Sequence, residues 1–169
     1  MKKTIIVALI LLLGCGASIP KWYLKAPEKR GYRYATGTER GDEIQNAVDE
    51  ATNIAVANLA RTMETELNGN VNRVQDEVRD RTAVDQFTNT QEGVYSVALK
   101  DWRVARQEIV KDKGLYRAYI LVEWDAGAAQ KRLLDKIKAD KELYEAIRAT
   151  ELMDEMERKV DEYRKRKGN

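Results

Sequence analysis

The sequence has no histidine and only one cysteine, Cys15, among its 169 residues. Without histidine, Ser-His-Asp and Cys-His nucleophilic sites are excluded, and so are the usual ligand sets of zinc. The ten glycines form neither a phosphate-binding loop nor a dinucleotide-binding fingerprint. The 28 acidic residues leave a carboxylate pair for glycoside hydrolysis open, but no pair stands out. We therefore expect a protein that is not an enzyme and that uses no cofactor and no metal.

An excess of charge of either sign is also absent. The chain has 30 Lys and Arg residues against 28 Asp and Glu residues, and without Lys2 and Lys3 the two numbers are equal. A nucleic-acid-binding domain usually carries a clear basic excess. The charge balance therefore predicts no nucleic acid among the partners.

Long apolar runs are missing as well. The longest, residues 5–13, contains nine residues, whereas a helix needs about 20 to span a bilayer. A short apolar run that follows basic residues, here Lys2 and Lys3, is typical of a secretory signal peptide. The lone cysteine that follows cannot form a disulfide within the chain, and as a free thiol it would be exposed to an oxidising compartment.

The apolar run ends in a motif that resembles the lipobox of bacterial lipoproteins, formed by Leu12, Leu13, Gly14 and Cys15. In that motif a leucine stands three residues before the cysteine, a small residue stands directly before it, and the signal peptidase cuts between the last two positions. The resemblance implies that residues 1–14 are a signal peptide and that Cys15 carries lipid. Each buried CH₂ of an acyl chain contributes about 0.8 kcal/mol, so several chains would hold the protein permanently on a membrane.

Residues 15–30 are expected to form the lipidated cysteine and a tether. Both prolines of the chain, at positions 20 and 27, lie here and disfavour a helix. Basic and aromatic side chains next to a lipid anchor suit a membrane interface, and we assign this role to Lys21, Trp22 and Tyr23. The alternative is that the two aromatic rings pack on the globular domain.

Residues 31–125 carry the pattern of an α+β domain. Tyrosine and threonine alternate along a short predicted strand at 31–38. The clearest predicted helix covers residues 42–67, with an alanine-rich apolar face and a capping-box pattern at Asp42 and Gln45. Asn68 and Gly69 predict the end of this helix.

The next segments are less uniform. Residues 71–81 are compatible with an exposed helix or an extended edge, and residues 84–98 predict a second, shorter helix. Two strand-like runs, 102–110 and 115–124, then flank a loop in which Gly114 can adopt a left-handed conformation, as a β-hairpin requires. In the second run, one face is apolar at Tyr116, Ala118, Ile120, Val122 and Trp124.

Two charged features are candidate sites. Glu123 and Asp125 stand at the end of the last predicted strand and could contribute to one, although strand-end charges are usually solvated. The basic end of the chain could meet an anionic polymer, although cations at a helix C-terminus are favourable on their own. Its four residues are Arg164, Lys165, Arg166 and Lys167.

Residues 126–169 predict a C-terminal helical region whose main element is a long charged helix at 141–165. Its apolar positions form one narrow stripe, which suits a helix–helix contact. We expect the stripe either to fold back on the domain or to bring several copies together. The stripe consists of Tyr144, Ile147, Ala149, Leu152, Met156, Val160 and Tyr163.

The order of these features resembles the LPP-type family of small bacterial surface lipoproteins, which includes Helicobacter membrane-associated and flagellum-associated outer-membrane lipoproteins. The resemblance covers residues 20–124: an aromatic segment after the lipobox, a tyrosine-rich strand entering a glycine turn, an alanine-rich helix and a late apolar strand. It implies an α+β fold, with a long helix on a small antiparallel sheet, and it implies no catalytic residue. The charged segment 71–81 and the long C-terminal helix depart from the family pattern.

The sequence therefore predicts a lipoprotein with a structural or assembly role in the cell envelope that associates with itself or with envelope machinery. Gly16 replaces the aspartate that, in many bacteria with two membranes, retains lipoproteins at the inner membrane. We accordingly expect an outer-membrane location, on the periplasmic face or at the cell surface. The alternative function is a wall-binding or regulatory lipoprotein that contacts peptidoglycan or a peptidoglycan synthase.

Overall fold

A computed structural model describes residues 18–168 of the chain. Its elements confirm the predicted α+β class, with a long alanine-rich helix on a small antiparallel sheet and further helices towards the C-terminus. A 3₁₀ turn, Leu99–Asp101, leads from the third helix into the second strand. In chain order the elements are α1 (Lys21–Leu24), β1 (Arg33–Gly41), α2 (Ile44–Glu77), α3 (Arg81–Ala98), β2 (Arg103–Asp112), β3 (Leu115–Trp124), α4 (Ala126–Ala139), α5 (Lys141–Ile147) and α6 (Glu151–Lys167).

The sheet has the order β1-β3-β2, and both pairs of neighbours are antiparallel. The predicted hairpin is confirmed: β2 and β3 are joined by a tight turn in which Lys113 and Gly114 both have positive φ, 53° and 90°. Two successive left-handed residues match the right-handed twist of the flanking strands. A bulge interrupts the β2–β3 pairing between Val104 and Arg106.

One face of the sheet is packed on α2 and forms the centre of the core. The side chains of Ala118, Ile120, Val122 and Trp124 are buried on this face, as the alternation in the sequence predicts. The helix approaches closely because its buried residues there are alanines and because the facing strand carries Gly37. A Cβ at Gly37 would lie only 2.0 Å from the carbonyl oxygen of Ala51.

The predicted end of α2 at Asn68 and Gly69 is wrong, because the helix continues to Glu77. A glycine inside a helix costs about 1 kcal/mol. Burial of Val74, which lies five residues further along, offsets that cost, since a fully buried valine contributes about 1.5–3 kcal/mol. Much of segment 71–81, for which the sequence left two conformations open, is therefore helical.

The capping box at the start of α2 is not formed. The N-cap residue is Glu43, and its side chain makes no capping hydrogen bond. Asp42 instead accepts a hydrogen bond from the backbone N–H of Glu43 at 3.0 Å, and Gln45 donates to Asp49 at 2.7 Å. The side chains of the predicted pair therefore bind other partners.

The prediction of a single long C-terminal helix is also wrong, because the chain breaks at residues 148–150 and forms two helices, α5 and α6. Thr150 caps α6: its hydroxyl donates to the carbonyl of Ile147 at 2.8 Å and accepts from the N–H of Met153 at 3.3 Å. The break turns Ala149 out to solvent. Four residues of α6 are buried in the same core cluster as the sheet, namely Leu152, Met153, Met156 and Val160. Within one chain, the stripe therefore folds back.

Candidate functional site

The predicted lipidation site and its recognition residues lie outside the described residues. These are Leu12, Leu13, Gly14 and Cys15. The first described residue, Ser18, follows Cys15 by three positions. Between residues 18 and 168, no helix combines the length and the apolar character needed to cross a bilayer.

The face of the sheet opposite α2, which we call the outer face, differs in composition from the packed face. Strand alternation and register place tyrosine, threonine and charged side chains on it. They come from alternate positions of all three strands. The central residues of the outer face are Tyr34, Thr36, Thr38, Arg103, Arg106, Glu108, Tyr119, Leu121 and Glu123.

The segment predicted to be a tether lies partly on this outer face. The ring of Tyr23, in α1, meets the ring of Tyr119 edge to face, with 5.0 Å between the centroids. Trp22 lies against Tyr23 at 6.4 Å and is half-buried, while Lys21 is exposed. Pro20 is buried as well. The ring of Tyr23 therefore packs on the globular domain, as the alternative interpretation of the tether predicts. Lys21 and part of Trp22 lie at the surface.

An ion pair between a buried carboxylate and an exposed guanidinium links β3 to β2 on the outer face. Glu123 is only 8% exposed, and its Oε1 accepts from Nε of Arg103 at 2.6 Å and also from Nη2. Burial, together with a hydrogen bond to Glu123, raises the pKa of Tyr34 above its ordinary value. Arg103 and Glu123 are directly opposite residues of β2 and β3, so cross-strand register could have revealed this pair. The contacts of Glu123 therefore lie within the sheet, between neighbouring strands.

Asp125, the second candidate carboxylate, caps helix α4. Its Oδ1 accepts from the N–H of Ala128 at 3.0 Å at the start of α4, and its Oδ2 accepts from the hydroxyl of Tyr163 at 3.1 Å. The ammonium of Lys167 lies 3.4 Å from the same carboxylate. These contacts bind the end of α6 to the end of β3. Both oxygens of Asp125 are thus engaged in contacts within the chain.

The basic end of the chain lies against the segment that follows α1. Arg166 donates to the carbonyl of Arg30, and Lys167 donates to the hydroxyl of Tyr32 at 3.1 Å. The hydrogen bond to Tyr32 raises the pKa of Lys167. Arg164 lies 3.6 Å from Asp135. Three of the four C-terminal cations are thus held by their own chain.

The remaining concave surfaces are shallow. An open depression of about 730 Å³ runs along residues 25–34, and a groove of about 590 Å³ lies between α3 and α4. Across residues 18–168, no three acidic or cysteine side chains gather as ligands for a metal ion. Comparisons with protein-family models, with curated proteins and with solved structures found no match for this chain.

Proposed function

We propose that the protein is a lipoprotein anchored in the bacterial outer membrane through Cys15, and that it has a structural or assembly role in the envelope. The observation that carries the proposal is the position of α1 on the outer face. The buried Pro20 lies only five positions after Cys15, and five residues span at most about 18 Å when fully extended. Lipid on Cys15 would therefore hold the outer face close to the membrane.

The surface around α1 has the chemistry that such a position requires. Lys21, Lys25 and Lys29 are exposed, and Trp22 keeps part of its indole at the surface. Cations next to a membrane gain about 1 kcal/mol each from anionic lipids, and indole rings favour the headgroup region. Without these three lysines and the two of the signal peptide, the rest of the chain has 25 basic and 28 acidic residues, so it adds no competing basic excess. Membrane contact at this face is thus consistent with both the covalent and the noncovalent features.

The assembly role is favoured over the wall-binding alternative because the C-terminal cations already bind groups of their own chain. A polymer such as peptidoglycan would have to displace Arg166 and Lys167 from Arg30, Tyr32 and Asp125 before it could bind them. We therefore expect the full chain not to sediment with purified sacculi. Sedimentation that is lost when the last four cations are replaced by glutamine would establish the wall-binding function instead.

The anchor itself is tested by substitution of the cysteine. In cells fed labelled palmitate, the wild-type chain should incorporate label, and Cys15→Ser should incorporate none and leave the membrane fraction. Gly69→Ala, a change on an exposed part of α2, is the matched control and should label like the wild type. Label on the Cys15→Ser chain would refute the lipoprotein proposal.

A further inference from the structure

The edge of the sheet at β2 is open. β2 pairs with β3 along one side, and within residues 18–168 its other side has no strand partner. None of the ten β2 residues is buried, whereas seven of the ten residues of β3 are. α2 packs on β1 and β3, and only Ile109 of β2 packs against the core. On the regular side of the bulge between Val104 and Arg106, alternate residues of β2 therefore point backbone donors and acceptors outwards, where another strand can use them.

The charges on this edge follow an order that a second copy of the same strand can match. Arg106 and Glu108 lie on the outer face, one residue on either side of Gln107. Neither takes part in an ion pair within residues 18–168. Opposite charges placed directly across two antiparallel strands stabilise their pairing, whereas like charges weaken it.

We propose that two copies of the chain pair through β2, antiparallel, with Gln107 opposite Gln107 of the second copy. This register sets each Arg106 opposite a Glu108, twice per dimer because the interface is isologous. A shift that centres the pair on Arg106 or on Glu108 places like charges opposite each other. A register centred on Ile109 would set Arg106 opposite Asp112, whose carboxylate already binds two arginines of its own chain.

The symmetry of this pairing agrees with a membrane position, although the dimer does not depend on the lipid anchor. Edge-to-edge antiparallel pairing uses a two-fold axis perpendicular to the sheet. It makes one six-stranded sheet and keeps both outer faces, and both α1 segments, on the same side. Chains confined to one membrane surface also have a raised effective concentration, which favours a contact of this modest size.

Disulfide trapping in the full chain tests the register directly. Residues directly opposite each other in an antiparallel pair have Cα atoms about 4.5–5.5 Å apart, which is within the range of a disulfide. Gln107→Cys should therefore give an oxidised dimer. Lys111→Cys, equally exposed on the same strand, should give none, because its two copies would lie more than 20 Å apart along the strands, at about 3.4 Å per residue.

The wild-type chain is the control that separates this test from the test of the anchor. If Cys15 carried no lipid, its free thiol would crosslink two wild-type chains, which have no introduced cysteine. A Gln107→Cys chain that stays folded but gives no more dimer than Lys111→Cys would overturn the proposal. A crosslink at Lys111→Cys of equal yield would also overturn it, since it would indicate random collision.

Charge exchange provides a second measurement on the full chain in detergent, by light scattering. Arg106→Glu and Glu108→Arg should each weaken dimerisation by about tenfold, because each sets two like-charged pairs across the interface. The double variant Arg106→Glu with Glu108→Arg should restore it. Unchanged dimerisation in both single variants, with unchanged melting temperatures, would contradict the proposed contact.

Discussion

The two faces of the sheet carry different residues and are packed differently. Towards α2, the strands present Gly37 and apolar side chains. The facing residues of the helix are alanines, so that the backbones come close. Towards the outer face, tyrosine, threonine and charged side chains predominate; Tyr119, Leu121 and Glu123 are nevertheless buried there, and the ring of Tyr23 in α1 contacts Tyr119. Close packing leaves little room for change. The comparison teaches that the α2 face depends on a close approach of backbones, whereas the outer face depends on contacts between larger side chains, such as that of Tyr23 with Tyr119.

The largest expected effect comes from closing the gap on the α2 face. Gly37→Ala would set a methyl group 2.0 Å from the oxygen of Ala51 and 2.6 Å from the nitrogen of Ala55, both of them backbone atoms. We expect a loss of about 3 kcal/mol in the free energy of unfolding, measured by urea denaturation. Gly69→Ala has open space around it and should instead stabilise the chain by about 0.5–1 kcal/mol. Equal effects at the two glycines would contradict close packing.

The helical side of the core allows a second test. Met156, which is 3% exposed, belongs to the stripe of α6 that folds back on the domain. Met156→Ala should cost about 2–3 kcal/mol in thermal or urea unfolding. Lys165→Ala, on the exposed side of the same helix, should change stability by less than about 0.5 kcal/mol. A Met156→Ala protein as stable as the wild type would mean that α6 is a free arm in solution.

Alkaline pH should act through the core side of the molecule. Tyr95 lies beside Trp124, with 5.6 Å between the ring centroids, and burial raises its pKa to about 12 from 10.0. Its neutral form is favoured in the folded state. The contribution of Tyr95 to the free energy of unfolding is therefore complete below pH 10 and is lost as the pH rises through 12. The full loss is about 2–3 kcal/mol. Urea denaturation from pH 9 to 12 should show a smaller decline for Tyr95→Phe, and an identical decline would argue against the burial of this hydroxyl.

Substitutions on the outer face should change the free energy of unfolding least. Tyr23→Ala removes the edge-to-face contact with Tyr119 from a half-buried position. An aromatic pair contributes about 0.5–1.5 kcal/mol beyond the area that it buries, so we expect a loss of about 1 kcal/mol in urea denaturation. Tyr23→Phe keeps the ring and should keep the stability. A loss as large as that of Gly37→Ala would show that α1 belongs to the core, and the contrast between the two faces would fail.

The sheet and its packed face could be predicted from the sequence because strand periodicity is local. Alternation in β3 identified the residues that meet α2, and Gly114 identified the turn of the hairpin. The predicted end of α2 failed because Asn68 and Gly69 are local signals, whereas Val74 is buried by contacts distant in the chain. The break before α6 did have a local signal, since Thr150 is followed by acidic residues in the first helical turn.

The candidate site was less predictable. Lys21, Trp22 and Tyr23 could be recognised as an unusual group, but their composition suits both a membrane interface and a protein surface. Only the position of Tyr119, almost 100 residues away, decides where the ring of Tyr23 lies. The engagement of the basic C-terminus was likewise hidden, because its partners Arg30 and Tyr32 are near the other end of the chain.

The central claim, that the outer face is held against a membrane, is tested most directly by fluorescence quenching with brominated lipids. Trp22 lies on the outer face, whereas Trp102 and Trp124 pack on the core side of the sheet. In vesicles that carry the mature chain, brominated lipid should quench the fluorescence of the wild type and of Trp102→Phe, and it should leave Trp22→Phe unquenched. Quenching that persists in Trp22→Phe would place another face at the membrane and contradict the account.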